Sequence, residues 1–208
     1  MNHSEPARTA TRRLRSTILA AVVVVSAPIG VLVYHSLASQ SFSAAWPVDI
    51  PQGDQNGPPG AGGAVPGGVT VFDDETPSVA NLAPDLLAAL RRAATDAADD
   101  GVEFVVNSGW RSPEYQQQLL RAAVSKYGSA SEAARWVATP NTSAHVSGHA
   151  VDIGPTAAAT WLSTHGTEYG LCQIYRNEPW HYELRPEAIE HGCPPMYADP
   201  TQDPRMRQ

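Results

Sequence analysis

One short segment, residues 143–152, carries two histidines and an aspartate separated by glycine and other small residues. A second segment, residues 178–183, adds His181 between two glutamates. A catalytic zinc site needs three protein ligands, one open position and a general base, and the two segments together supply these groups. We therefore expect a fold that brings the two segments into contact.

The first segment could form either a helix or a turn followed by a strand. His145 and His149 are four positions apart, which is the spacing of a helical zinc motif, but no glutamate follows His145. Gly148 and the apolar alternation after it favour a turn and a strand. Asp152 would then point away from the core, where His145 could reach it from the preceding loop. This favours Asp152 over His149 as a ligand and leaves His149 as a neighbour of the site.

The second segment offers two carboxylates for proton transfer. His181 lies among apolar and aromatic residues suited to a strand, and Glu178 is three positions earlier. On a regular strand these two side chains would face opposite ways, but Pro179 breaks the regularity and keeps Glu178 extended. Glu178 could therefore act as a general base without being a ligand. Glu183 is the competing base, because it lies two positions after His181, on the same face.

The chain is acidic, with a formal net charge of −7, although residues 1–34 carry an excess of arginine. The remainder is therefore more acidic still. Nucleic-acid binding depends on Lys and Arg that neutralise phosphates, so we expect no nucleic-acid partner.

An uncharged, mostly apolar run follows a basic tail at residues 1–15. As a helix it would span about 29 Å, close to the hydrocarbon thickness of a bilayer. The positive-inside rule places residues 1–15 in the cytoplasm and the rest outside. We expect a single-pass transmembrane helix over residues 16–35, as a signal anchor or as a cleaved signal peptide, and hence a protein of the cell membrane or a secreted one.

The remainder divides by composition into a linker and one domain. Residues 36–68 are rich in Pro and Gly and predict a flexible linker. A folded domain is expected over residues 69–197 and a flexible tail over residues 198–208. The predicted helices cover 84–101, 113–127 (with Ser112 as its N-cap), 131–138 and 157–164. The predicted strands cover 102–106, 150–153, 171–175 and 180–184. Helices first, with strands carrying the site, indicate an α+β fold.

Three motifs occur in a fixed order along this domain. They are Ser108-Gly109-Trp110-Arg111-Ser112, Ser143-x-His145-x-x-Gly148-x-Ala150-x-Asp152 and Glu178-x-x-His181. The combination resembles the VanX/VanY family of D-alanyl-D-alanine peptidases. The resemblance implies a small antiparallel sheet that carries a zinc site and is flanked by helices, as in the hedgehog N-domain and the lysostaphin-like peptidases.

The resemblance also implies roles for the matching residues. One zinc ion would be held by His145, Asp152 and His181. Glu178 would be the catalytic base, and Arg111 would polarise the scissile carbonyl or stabilise the oxyanion, as a fixed guanidinium can. Substrate contacts are expected at Ser143, Tyr115 and Gln116, although Ser143 could instead shape its loop.

The implied activity is D-alanyl-D-alanine carboxypeptidase, with peptidoglycan stem peptides as the partner. Three alternatives remain: an L-Ala-D-Glu endopeptidase on the same scaffold, a cell-wall-binding module that no longer cleaves, and a domain in which zinc is purely structural. The presence of both Glu178 and Arg111 favours an enzyme.

Two cysteines, Cys172 and Cys193, bracket the segment that contains Glu178 and His181. Outside the cytoplasm a disulfide is the default expectation for such a pair. The bond would fix the strand that carries His181 and would stabilise the fold by ~3 kcal/mol through loop entropy.

Overall fold

The computed structural model describes residues 60 and 62–207 of the chain. In that part of the protein no helix is both long enough and apolar enough to cross a membrane. The predicted basic tail (1–15), the predicted transmembrane helix (16–35) and most of the predicted linker (36–68) lie outside the described residues.

Short strands are interspersed among helices along the described chain. In order they are α1 (Pro77–Ala80), α2 (Pro84–Asp99), β1 (Val105–Ser108), α3 (Pro113–Tyr127), α4 (Ala130–Ala133), β2 (Ala150–Gly154), α5 (Thr156–His165), β3 (Leu171–Gln173), β4 (His181–Leu184) and α6 (Ala188–His191). Short 3-10 helices cover Gly166–Tyr169, Pro200–Gln202 and Pro204–Arg207. The α+β class is confirmed.

The strands form one antiparallel sheet in the order β1-β2-β4-β3. The register of the two central strands places Asp152 directly opposite His181. On the outer side of β2, Asp152 also pairs with Ser108 of β1. The small antiparallel sheet that the resemblance implies is therefore present, and its centre holds two of the predicted ligands.

The main core lies between the sheet and α2. Pro84 at the start of α2 fits the first helical turn, where a backbone N–H has no partner in any case. The apolar face of α2 packs on the inward side chains of β2 and β4. The fully or nearly fully buried residues include Leu86, Leu90, Ala93, Ala97, Val151, Ile153 and Tyr182. Burial of one such leucine contributes roughly 1.5–3 kcal/mol. The alternation in β2 thus directs Val151 and Ile153 to the core and Asp152 to the site, as predicted.

Helix α3 begins and ends as its sequence predicts. The Ser112 hydroxyl accepts a hydrogen bond from the Tyr115 N–H at 3.1 Å, and Gly128 ends the helix in a left-handed conformation. Helix α4 is shorter than predicted and ends at Ala133. Beyond it the chain turns, and the Trp136 ring stacks on Tyr127. Packing therefore overrides helix propensity there.

The folded region extends beyond the predicted domain at its N-terminal end. Residues 62–68 were assigned to the linker by composition, yet the Gly62 carbonyl accepts a hydrogen bond from the Ser112 N–H at 2.9 Å, and Ala64 is buried. At Gly63 a Cβ atom would lie 2.2 Å from the Trp110 carbonyl oxygen. The glycine here permits close packing of two backbones, which composition alone cannot distinguish from flexibility.

The C-terminal end also differs from the prediction of a flexible tail over 198–208. The last two 3-10 helices are Pro200–Gln202 and Pro204–Arg207, and Asp203 between them is fully buried. Polar side chains in this segment pair with buried groups distant in the sequence. The polar composition of this segment predicts a flexible tail, but the segment packs against the domain.

Cys172 and Cys193 form a disulfide, as predicted. The bond joins β3 to the segment after α6. Cys172 is the register partner of Glu183 on β4, so the bond fixes the edge of the sheet next to the strand that carries His181.

Candidate active site

Three predicted ligands converge on one buried position. The Nε2 atom of His145 is 3.2 Å from Nδ1 of His181, and the Asp152 carboxylate is 3.4 Å from the first and 3.1 Å from the second. All three side chains are buried. Their ligand atoms lie within 4.8 Å of one another, which is close enough for one metal ion. The structure thus joins residues from a loop, β2 and β4 at a possible metal site.

His145 reaches this position from a turn, so the helical alternative does not occur. Gly148 adopts φ +74°, and a Cβ atom there would lie 2.5 Å from the Asn81 carbonyl oxygen. The Gly148 carbonyl in turn accepts a hydrogen bond from the Ala83 N–H. His149 is exposed and outside the metal-binding group, as the sequence reasoning expected.

Hydrogen bonds orient both imidazoles toward Asp152. Nδ1 of His145 lies 2.8 Å from the Gly109 carbonyl, which can only accept, so this nitrogen carries the proton and Nε2 is left with a lone pair. Nε2 of His181 lies 3.3 Å from Glu183, an acceptor when ionised, which leaves Nδ1 directed at the cluster. Metal-binding histidines are typically held by such partners on the opposite ring nitrogen.

The charges of the cluster are strongly coupled. Burial lowers the pKa of His145, and the nearby Arg111 guanidinium lowers it further. Burial raises the pKa of Asp152, but His145, His181 and Arg111 outweigh burial and hold that pKa far below its usual range. Burial lowers the pKa of His181, yet hydrogen bonds to Asp152 and Glu183 raise it to about 10. The three donors are thus one anionic carboxylate and two imidazoles, and a metal ion bound there would displace the proton that His181 otherwise shares with Asp152.

Glu178 lies beside the ligands without belonging to them. Its Oε2 atom is 3.8 Å from Nδ1 of His181, and its carboxylate is outside the group that could hold a metal ion. A tight turn places it there, because the His181 N–H donates to the Glu178 carbonyl. Burial raises the pKa of Glu178 to about 7, although His181 opposes the rise. A buried carboxyl that titrates near neutrality suits proton transfer.

The competing carboxylate, Glu183, is arranged differently. It is only 1% exposed and is paired with Arg185, Arg205 and His181. Burial raises the pKa of Glu183, but hydrogen bonds from His181 and Arg205 outweigh it and hold that pKa well below its usual range. A carboxylate that stays ionised and fully paired is suited to orienting His181 and poorly suited to accepting a proton.

Arg111 is rigidly held at the edge of the cluster. Its guanidinium donates to the Ser108 hydroxyl at 2.7 Å, to Gln116 Oε1 at 3.2 Å and to Asp152 Oδ2 at 2.9 Å. The side chain is nearly buried. The predicted cation is therefore next to the ligands, at the position where negative charge on a substrate could be stabilised.

The residues expected to contact substrate have different surroundings. Gln116 is buried, and its amide donates to the Ala138 carbonyl while accepting from Arg111, so we interpret it as a support for Arg111. Ser143 is buried, and its carbonyl accepts from the N–H groups of two later residues, which shapes the loop before β2. Tyr115 is half-buried near Arg111, where burial raises its pKa. A substrate contact by any of these residues stays a prediction.

Sequence reasoning missed a group of residues behind His181. Arg205 and Asp203 come from the segment expected to be a tail, and Tyr175 follows β3. The Tyr175 hydroxyl donates to Asp203 at 3.0 Å, and its ring centroid is 5.1 Å from that of His181. No helix or strand pattern indicates these contacts: Tyr175 and Asp203 are 28 positions apart, and Tyr175 and His181 lie on either side of the turn between β3 and β4.

Comparisons with known proteins agree with this geometry. The sequence model of the VanY family, described as D-alanyl-D-alanine carboxypeptidase, matches residues 79–187. A D-alanyl-D-alanine carboxypeptidase of Enterococcus faecalis is 33% identical in a match that covers 41% of this chain and 41% of the relative. The chain thus spans about two-fifths of the length of that curated relative.

Two solved structures are similar to this chain. The structure of VanYB in complex with D-alanine-D-alanine is 29% identical, with 53% of this chain and 74% of that chain covered at a TM-score of 0.50. A mutant of the vancomycin-resistance D,D-pentapeptidase VanY in complex with Zn(II) is also 29% identical, with 53% and 75% covered at a TM-score of 0.49. The family match spans more than half of the chain and includes every predicted ligand, Arg111 and Glu178. This chain belongs to the VanY family of D-alanyl-D-alanine carboxypeptidases.

Proposed function

We propose that this protein is a zinc-dependent carboxypeptidase that removes the terminal D-alanine from peptidoglycan stem peptides ending in D-Ala-D-Ala. One observation carries the proposal: His145, Asp152 and His181 converge on one position, and the carboxylate of Glu178 lies beside them outside the ligand set. Membership of the VanY family supports the same activity.

The donor set fits zinc. Two imidazole nitrogens and one carboxylate are ligands that zinc accepts, and three protein ligands leave a position open for catalysis. Their orienting partners, the Gly109 carbonyl and Glu183, meet the usual requirement that the other ring nitrogen be held. Bound zinc at such a site supplies a Lewis acid and lowers the pKa of water.

Glu178 and Arg111 supply the proton transfer and the charge stabilisation that the reaction also needs. Glu178 accepts a proton from the attacking water and returns it to the nitrogen of the departing D-alanine, so that the amide C–N bond breaks and a C–O bond forms. Arg111 stabilises the negative charge that develops on the carbonyl oxygen. Because Ser108, Gln116 and Asp152 already fix the guanidinium, it needs little rearrangement for this task.

The relatives support this substrate class. The matched E. faecalis protein is a D-alanyl-D-alanine carboxypeptidase, and the VanYB structure contains D-alanine-D-alanine. We further propose that residues 16–35 anchor the chain in the cell membrane, or direct its secretion, with the catalytic domain outside the cytoplasm. The disulfide between Cys172 and Cys193 is in keeping with an oxidising compartment.

Incubation of the full-length protein, loaded with zinc, with a pentapeptide ending in D-Ala-D-Ala tests the proposal. Mass spectrometry should show a tetrapeptide and free D-alanine. Cleavage between L-Ala and D-Glu would instead identify the endopeptidase alternative. An intact peptide in the presence of a full complement of zinc would identify a wall-binding module and contradict the proposal.

A further inference from the structure

We propose that Arg205 is a positioning residue for the candidate metal centre. Its guanidinium holds the carboxylate of Glu183 in place, and in this orientation Glu183 accepts a hydrogen bond from the Nε2–H of His181. The inference rests on the proposed function, because it concerns the same site. It assigns a role to a residue that lies beyond the part of the chain matched by the family, residues 79–187.

The contact between Arg205 and Glu183 is two-pronged. One terminal nitrogen of Arg205 lies 2.7 Å from Oε2 of Glu183, and the other lies 3.1 Å from Oε1. The same Oε1 atom is 3.3 Å from Nε2 of His181. A planar guanidinium bound to both oxygens fixes the plane of the carboxylate as well as its position. Arg205 therefore determines where the acceptor of the imidazole proton lies.

Arg185 serves as an internal comparison, because it pairs with the same carboxylate in another way. The Arg185 guanidinium donates to Oε2 of Glu183 at 2.6 Å, and in the described part of the chain it makes no hydrogen bond to Oε1. Both arginines neutralise a buried negative charge, which would otherwise be costly. Arg205 alone of the two touches the oxygen that faces His181. Both arginines therefore neutralise the charge of Glu183, but only Arg205 also fixes the orientation of its carboxylate.

Arg205 is itself held in place. Asp203, which is fully buried, accepts from the Nε atom of Arg205 at 2.9 Å and from the Tyr175 hydroxyl at 3.0 Å. The Tyr175 ring packs beside His181. The C-terminal segment therefore reaches His181 by two routes, through Glu183 and through Tyr175. Because Asp203 fixes Arg205, Arg205 can hold Glu183, and through it the imidazole of His181, in one orientation.

The expected consequence is a defect in metal binding without loss of the fold. Removing a partner that orients a ligand typically lowers metal affinity 10–100-fold. Because Arg205 acts on His181 through Glu183, we expect Arg205→Gln to weaken zinc binding about 10-fold, at the lower end of this range. Arg207→Gln is the matched control: Arg207 is exposed on the same 3-10 helix and should leave zinc binding unchanged.

The experiment uses full-length protein and four variants: Arg205→Gln, Arg205→Lys, Arg185→Gln and Arg207→Gln. Zinc affinity is measured by competition with a chelator. In the metal-free protein, 15N NMR of the histidine side chains reports the proton position on His181. Arg205→Gln should change the His181 signals and weaken zinc binding, and Arg185→Gln should do so less. Arg205→Lys keeps the charge without the two-pronged contact and should recover only part of the affinity.

Equal losses in Arg205→Gln and Arg185→Gln would show that charge alone matters and would overturn the inference. Wild-type affinity and NMR signals in Arg205→Gln would also overturn it. If Arg205→Gln does not fold, Arg205→Lys decides the matter, since full wild-type affinity in that variant contradicts a role for the planar contact. Failure of the proposed function is distinguishable, because a protein that binds zinc but cleaves no peptide still permits both measurements.

Discussion

Nε2 of His145 lies 3.2 Å from Nδ1 of His181, although the two residues are 36 positions apart in the chain. The Gly109 carbonyl accepts a hydrogen bond from Nδ1 of His145, and Glu183 faces Nε2 of His181. Two imidazoles held in this way present their remaining nitrogens to one point beside the Asp152 carboxylate. Such a point could hold a metal ion, and the donor types are those of catalytic zinc.

Loss of any one ligand should therefore remove the metal. We expect His145→Ala and His181→Ala each to reduce zinc from about one ion per chain to well below half, because catalytic zinc needs all three protein donors. Elemental analysis after dialysis measures this directly. His149→Ala is the matched control, because His149 is an exposed histidine of the same segment. Loss of zinc in His149→Ala with retention in His145→Ala would show that the ligands are wrongly assigned.

The turn that delivers His145 depends on Gly148. Its left-handed conformation costs an L-residue about 1–2 kcal/mol, and an added Cβ would also collide with the Asn81 carbonyl oxygen. We expect Gly148→Ala to lower the free energy of unfolding by roughly 2 kcal/mol or more. Gly101→Ala is the control, since Gly101 has the same φ of +74° and open space around its Cβ position. Denaturant titrations measure both variants. An equal decrease in the free energy of unfolding for Gly148→Ala and Gly101→Ala would contradict a collision between the added Cβ and the Asn81 carbonyl oxygen.

The C-terminal segment should stabilise the fold in a pH-dependent way. Burial raises the pKa of Asp203, but hydrogen bonds from Arg205 outweigh burial and hold that pKa below its usual range. A carboxyl with a lowered folded-state pKa stabilises the protein above its unfolded-state pKa of about 3.9 and loses that contribution as pH falls further. Thermal unfolding should show a Tm gap between wild type and Asp203→Asn that is full at pH 7 and shrinks below about pH 4. A gap that grows on acidification would contradict this account.

The disulfide should stabilise the edge of the sheet. Cys172 and Cys193 are 21 positions apart, and closing a loop of that size is worth ~3 kcal/mol in the loop-entropy model. We expect the paired substitution Cys172→Ser and Cys193→Ser to lower the free energy of unfolding by about that amount. Hydrogen exchange should show the largest loss of protection in β3 and β4. Unchanged exchange in those strands would mean that the bond does not hold the His181 strand.

Within each of the two site segments, the side-chain positions could be predicted from sequence because they depend on local backbone geometry. The joining of ligands from both segments was implied by the resemblance to the VanX/VanY family. Glycine before an alternating strand predicts a turn, and the alternation itself assigns Asp152 to the face opposite the core. Pro179 likewise signals the irregular backbone that lets Glu178 approach His181. The structure places all these side chains together, as the patterns predicted.

The group behind His181 could not be predicted in the same way. Arg205 and Asp203 lie in a polar segment whose composition indicates a tail. Glu183, the partner of Arg205, precedes it by 22 residues, and Tyr175, a partner of Asp203, precedes it by 28. Nothing in the spacing of these residues signals pairing, because neither helix nor strand periodicity connects them. Such contacts depend on the path of the whole chain, which a single sequence does not determine.

The central claim is that Glu178 transfers the proton in a zinc-dependent hydrolysis of D-Ala-D-Ala. The most direct measurement is release of D-alanine from a D-Ala-D-Ala-ended pentapeptide by wild type and by Glu178→Gln, each with its zinc content determined. The account predicts D-alanine release by the wild type and at least a 100-fold lower kcat in Glu178→Gln at equal zinc content. Comparable turnover by the two proteins, or no release by zinc-loaded wild type, would contradict it.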